Sequence, residues 1–180
     1  MRAEDDPLWH RIAGHVIGPP DVSLTFAARL ARENRWSIPH AEAVIGEYKR
    51  FCYLALTAGH EVTPSDAVDQ AWHLHLTYTR DYWQSFCPKV LRCELHHGPT
   101  KGGPAERHRF YHQYAATFAA YESAFDAPPP TDIWPAADKR FGVDPYGVRV
   151  NLSGVIVLKR RVALAAGLIT LMVGWLAGRI

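Results

Sequence analysis

Asp69, His73, His75, His96 and His97 bring one carboxylate and four imidazoles into a short stretch of chain, with the indole of Trp72 among them. Imidazole nitrogens and carboxylate oxygens are the donors that hold borderline divalent metals, zinc foremost, and imidazole also moves protons near neutral pH. Residues 69–75 read as helix, and helical geometry sorts the groups. Positions two apart lie about 200° around the axis, so His73 and His75 cannot aim at one ion from a regular helix. Asp69 and His73, four apart, stack on one face beside Arg80. At about 100° per residue, Val68, Trp72, His75, Leu76, Thr79, Trp83 and Phe86 form one apolar arc, which turns His75 toward the core.

Each feature has a plainer reading. A surface ion pair between Asp69 and His73 accounts for the spacing as well as a ligand pair does. A buried His75 bonded to a backbone carbonyl or a tyrosine hydroxyl needs no metal. His96 and His97 fall in a Gly/Pro loop, where sites are built more often than in cores. The candidate metal ligands are Asp69, His73 and His97, with His75 and His96 as second choices, around a divalent ion such as zinc. Cys87, Cys93 and His96 offer a lesser route to zinc, since five intervening residues are not zinc-knuckle spacing. His108 and His112 also stand four apart but oppose the aromatic stripe of their helix and read as solvated. No Gly-rich phosphate loop, GxSxG elbow or HExxH motif is present.

The elements around these residues are helical. Residues 7–16 make a short helix ended by Gly18, Pro19 and Pro20. Asp21 or Ser23 caps the next, through about residue 33, and Ser37 caps one over 39–57. Thr63, Pro64 and Asp66 supply a cap, a first-turn proline and an acid for a helix to about Phe86, where Pro88 stops it. A loop over 88–103 follows. Pro104 opens a last long helix with Phe110, Tyr114, Phe118, Tyr121 and Phe125 along one side, ended by Pro128, Pro129 and Pro130. The expected architecture is all-α: a compact bundle of about five helices over 1–135, a Pro-rich linker over 136–161, and one C-terminal transmembrane helix over 162–178. A short strand within 148–158 is a further expectation.

Lys+Arg 20 against Asp+Glu 18 leaves no global field to recruit nucleic acid. Three cysteines without framework spacing suit a reducing compartment. The acidic N-terminus has no apolar run and so no visible secretory signal. Residues 162–178 are apolar around the whole circumference and rise about 26 Å at helical pitch, near a hydrocarbon core of about 30 Å, with Arg179 able to snorkel. A fully enclosed core helix is the alternative. Lys159, Arg160 and Arg161 precede the stretch, which by the positive-inside rule places the N-terminal part in the cytoplasm. The expectation is a single-pass, tail-anchored protein, as of a bacterial inner membrane. Gly174 and Gly178 form a GxxxG pair through which two spans can pack as a homodimer.

Phe51 to Leu54, then Val62 to His75 with its D-x-x-W-H-x-H element, then Leu95, His96, His97, Gly98, Pro99 and Thr100 together resemble the glycine-rich domain-containing protein-like family of bacteria and plants. The resemblance covers roughly residues 23–134 and implies a fold unit rather than a reaction. The chain departs from the family in lacking its glycine-rich tail. The expected function is a membrane-tethered binding or interaction module with an unknown protein or small-molecule partner and no defined reaction. The alternatives are a metal-dependent hydrolase using His73 and His97, with Asp69 as ligand or base, and a purely structural scaffold.

Overall fold

A computed structural model describes residues 2–19, 21–98 and 100–142. Side chains that cap helices set the boundaries. After a 3₁₀ turn, Ala3–Asp5, the Asp6 carboxylate accepts from Leu8 N at 2.8 Å and opens α1, Pro7–Gly14. Thr25, rather than Asp21 or Ser23, caps α2, Phe26–Asn34, by accepting from Ala28 N. Ser37 caps α3, Ile38–Thr57, as its sequence context predicts. Ser65, not Thr63, caps α4, Asp66–Thr77. Thr63 is engaged elsewhere: its N–H donates to Thr117 Oγ1 and its hydroxyl to Gln113 Oε1.

The long helix expected to run to Phe86 breaks at Tyr78, whose backbone lies at φ −84, ψ 57. Contacts remote in sequence hold it there. Arg29 Nε donates to the Tyr78 hydroxyl at 3.1 Å, and the ring meets Phe26 edge-on at 5.3 Å. Gly18, at φ +74, lies so close that a Cβ there would meet the Tyr78 ring at 2.7 Å. Beyond the break come a single turn, α5, Thr79–Asp81, and a π-helix, π1, Tyr82–Leu91. Pro88 therefore does not end the helix. In an α-helix its ring collides with the carbonyl four residues back, whereas π winding shifts the carbonyls off that register. Arg92 closes the element in the left-handed region, φ 62.

Pro104 opens α6, Pro104–Phe125, and α7, Ala137–Gly142, follows. Residues 137–142 of the expected linker are thus folded. Phe141 packs on Tyr111 and Tyr114, and the Tyr111 hydroxyl donates to Asp138 Oδ1 at 2.8 Å. Among the described residues every regular element is helical and there is no strand, which agrees with the all-α expectation.

Helix α3 is the centre, packed against α1, α2, α4 and α6. Its Ala41, Val44, Tyr48, Phe51, Cys52 and Leu54 are buried, at the spacing of one broad helical face. Of the aromatic stripe on α6, Tyr114 and Tyr121 are buried, while Phe110, Phe118 and Phe125 lie partly buried at its margin. Between α3 and α6 lies Trp134. Its indole N–H donates to Glu47 Oε2 at 2.9 Å, and Arg50 and the Tyr121 hydroxyl bond the other carboxylate oxygen.

No described helix is long and apolar enough to cross a membrane. The expected span over 162–178, its basic flank and the strand expected within 148–158 lie outside the described residues.

Candidate metal centre

Two clusters of metal-capable side chains occur among the described residues: Asp69, His73 and His97, and His15, His75 and Asp81. In each, one donor atom per residue lies within 4.8 Å of the others. The first unites the three leading candidates of the sequence. His97 Nε2 donates to Asp69 Oδ1 at 2.9 Å, and His73 Nδ1 lies 3.6 Å from Asp69 Oδ2. The imidazoles of His73 and His97 are 4.4 Å apart between centroids.

Helix α4 supplies Asp69 and His73 four residues apart, on one face as helical geometry requires. The loop after π1 supplies His97, and a hydrogen-bonded relay holds that loop. Trp72 Nε1 donates to the Tyr82 hydroxyl at 2.9 Å, and the Tyr82 hydroxyl donates to the Leu95 carbonyl. The Trp72 ring also meets His97 edge-on at 4.5 Å. Burial raises the Tyr82 phenol well above its ordinary pKa, so the hydroxyl keeps the proton that the relay needs. Replacing Tyr82 by phenylalanine leaves the Trp72 N–H unpaired in the core. We expect a loss of about 1–3 kcal/mol, read by thermal or denaturant unfolding.

The side chains of Asp69 and His97 are 20% and 21% exposed, and that of His73 is 50% exposed. Three donors on one side with solvent on the other is the layout of a site with an open coordination position.

The second-choice residues go elsewhere. His96 Nε2 bonds Glu94 at 2.8 Å on the surface, with its ring 5.4 Å from Trp83. His75 is fully buried. A carboxylate can only accept, so His75 Nε2 donates to Asp81 Oδ2, at 2.8 Å, and Nδ1 accepts from the Tyr48 hydroxyl at 2.9 Å. Burial lowers the His75 pKa to about 4, against the pull of Asp81. His15, the residue that ends α1, places its own Nε2 3.1 Å from the same Asp81 oxygen.

His15 and Asp81 are the site residues that sequence reasoning missed. On a continuous helix Asp81 would lie about 120° around the axis and about 9 Å along it from His75. Only the break at Tyr78 folds it back. The lesser zinc route does not assemble: Cys87 is buried and Cys93 exposed, and they form no donor cluster with His96 among the described residues. His108 and His112 are exposed, as expected, with their Nε2 atoms 3.0 Å apart.

The UCP032817-like family model matches residues 23–109. That stretch holds every residue of both clusters except His15. It corrects the resemblance drawn from the D-x-x-W-H-x-H element and the His96–His97 loop: those motifs lie inside the matched stretch, and the match is not to a glycine-rich domain-containing family. No curated protein and no solved structure matches the chain.

Proposed function

We propose that the protein is a metal-binding interaction module in which Asp69, His73 and His97 hold a divalent transition metal, tethered to a membrane through residues 162–178. The observation that carries the metal site is the convergence of three donor atoms within 4.8 Å, from a helix and a separately braced loop. Two imidazole nitrogens and one carboxylate oxygen suit zinc and the neighbouring divalent metals. The relay from Trp72 through Tyr82 to Leu95 is the kind of outer support that fixes ligand orientation. Support for the tether is the uncharged run over 162–178 behind Lys159, Arg160 and Arg161. On this reading the helical part lies in the cytoplasm, and Gly174 and Gly178 are a contact for a second copy.

A partner's side chain or a small anionic ligand completes the coordination from the solvent side, where His73 is half exposed. The same open position is what a metal-dependent hydrolase needs, with bound water as nucleophile. We rank that reading second. Neither of the clefts at Gly18–Pro19 and at α6–α7 is lined by Asp69, His73 or His97.

The test is zinc content and zinc titration of the full-length chain beside His73→Ala and His97→Ala. Each substitution should weaken zinc binding at Asp69 at least about tenfold while leaving the helical content unchanged, since neither side chain fills the core. Unchanged zinc binding in both variants would sink the site.

A further inference from the structure

The cluster at His15, His75 and Asp81 shares no residue with the centre proposed above. Its donors come from three elements: His15 from the end of α1, His75 from α4, and Asp81 from the turn after the break. Both Nε2 atoms converge on one oxygen, Asp81 Oδ2, at 2.8 and 3.1 Å. We infer that His15, His75 and Asp81 form a second, more enclosed binding site for a divalent transition metal, independent of the one at Asp69.

Geometry supports this first. Ligand atoms about 2.0–2.1 Å from a tetrahedral ion lie roughly 3.3 Å from one another. Seating an ion would open the two N···O pairs by a few tenths of an ångström and bring the two imidazole nitrogens, within 4.8 Å of each other, to the same spacing. The imidazoles are also held in place. His75 is enclosed by Tyr48, Tyr82 and Phe86 at ring-centroid distances of 5.7, 4.9 and 4.9 Å, and His15 lies on Phe86 at 5.1 Å. Tyr48 stands behind His75 as an outer partner. With a metal on Nε2 the ring proton would sit on Nδ1 and be donated to the Tyr48 oxygen, whose own proton would turn to its other partner, Cys52.

Charge supports it next. The groups bonded to Asp81 are both imidazoles, and its side chain is 18% exposed. Hydrogen bonds from imidazoles occupy the acceptor sites of a partly buried carboxylate, whereas a divalent ion coordinated in their place would offset its charge directly. Access exists as well. Asp81 lines an open cleft of about 500 Å³ with Gly18, Pro19, Tyr78 and Arg80. Two nitrogens and a carboxylate oxygen favour zinc and its neighbours over calcium or magnesium.

The experiment titrates zinc into the full-length chain carrying His73→Ala, which weakens the first centre at least about tenfold and leaves the tighter equivalent to the second. One equivalent should still bind and raise the thermal midpoint. Adding Asp81→Asn should abolish it, and adding His15→Gln should weaken it at least about tenfold. His15 lies at the edge of the cluster, so its variant remains informative if the Asp81 variant folds poorly. A His73→Ala chain that takes up no zinc, or keeps its ion with both added substitutions, overturns the inference. A wild-type chain binding no more zinc than His73→Ala counts against the Asp69 centre alone.

Discussion

Replacing Trp134 by alanine should destabilise the protein by about 4–7 kcal/mol, the largest effect expected of any single substitution here. The indole is 1% exposed and meets Tyr114, Phe118 and Tyr121 at 6.0–6.2 Å. Truncating a tryptophan so enclosed opens a cavity worth about 3–5 kcal/mol. The change also removes the donor on Glu47 Oε2, leaving a carboxylate that is 4% exposed with an unmet acceptor. Arg50 and Tyr121 still hold the other oxygen, so the polar loss adds only about 1–2 kcal/mol. Since domains are stable by about 5–15 kcal/mol, the loss is a large part of the total and should move the denaturant midpoint far down. Trp134→Phe separates the contributions: it keeps most of the ring contact, loses the N–H, and should cost about half as much. Denaturant midpoints of the three proteins check this. A loss under about 1 kcal/mol for the alanine variant would contradict the placement of the indole. Trp134 lies beyond the stretch 23–109 that the family model covers, so the result also tests whether the later segment is integral to the fold.

Acid should destabilise the metal-free protein through His75. Its ordinary pKa of 6.5 is lowered to about 4 by burial. Between those values the unfolded chain binds a proton that the folded chain does not, so folding stability falls as pH falls. The loss begins as pH drops through about 6.5 and is complete below about 4. It reaches about 3.5 kcal/mol, from the fall from 6.5 to about 4 at about 1.4 kcal/mol for each pH unit. Above pH 7 this group contributes no slope. The check is the urea midpoint against pH, in chelator, for wild type and His75→Gln. Glutamine keeps an N–H donor for Asp81 but does not titrate. The variant should be less stable at pH 7 and should show a flatter profile between pH 4 and 6.5. Parallel profiles in the two proteins would rule out His75 as the sensor.

Helix α4 shows how far local sequence reaches. A regular helix must stack residues four apart, so the meeting of Asp69 with His73 and the inward turn of His75 were legible from spacing alone. The α3 stripe was legible for the same reason, because Val44, Tyr48, Phe51 and Cys52 recur at helical intervals. The Ser37 cap was equally local. The α4 cap falls to Ser65 because Thr63, an equally good cap by type, is drawn to Thr117 and Gln113 on a distant helix. Hydroxyls are interchangeable locally, and tertiary competition chooses among them.

His97 is an intermediate case. A histidine-bearing loop after a histidine-bearing helix suggests a shared site. Its return onto Asp69, however, depends on the Tyr82 hydroxyl gripping the Leu95 carbonyl. Of the second cluster only the inward-facing His75 was legible in the sequence; His15 and Asp81 were not. Nothing in Thr77, Tyr78 and Thr79 announces a break, since all three residues are tolerated in helices. The break follows from Gly18, Phe26 and Arg29, which hold the Tyr78 side chain from other parts of the chain. Asp81 meets His75, and His15 meets both, as a consequence. Periodicity determined which residues share a helical face; contacts between residues far apart in sequence decided where the helix breaks and which donors converge.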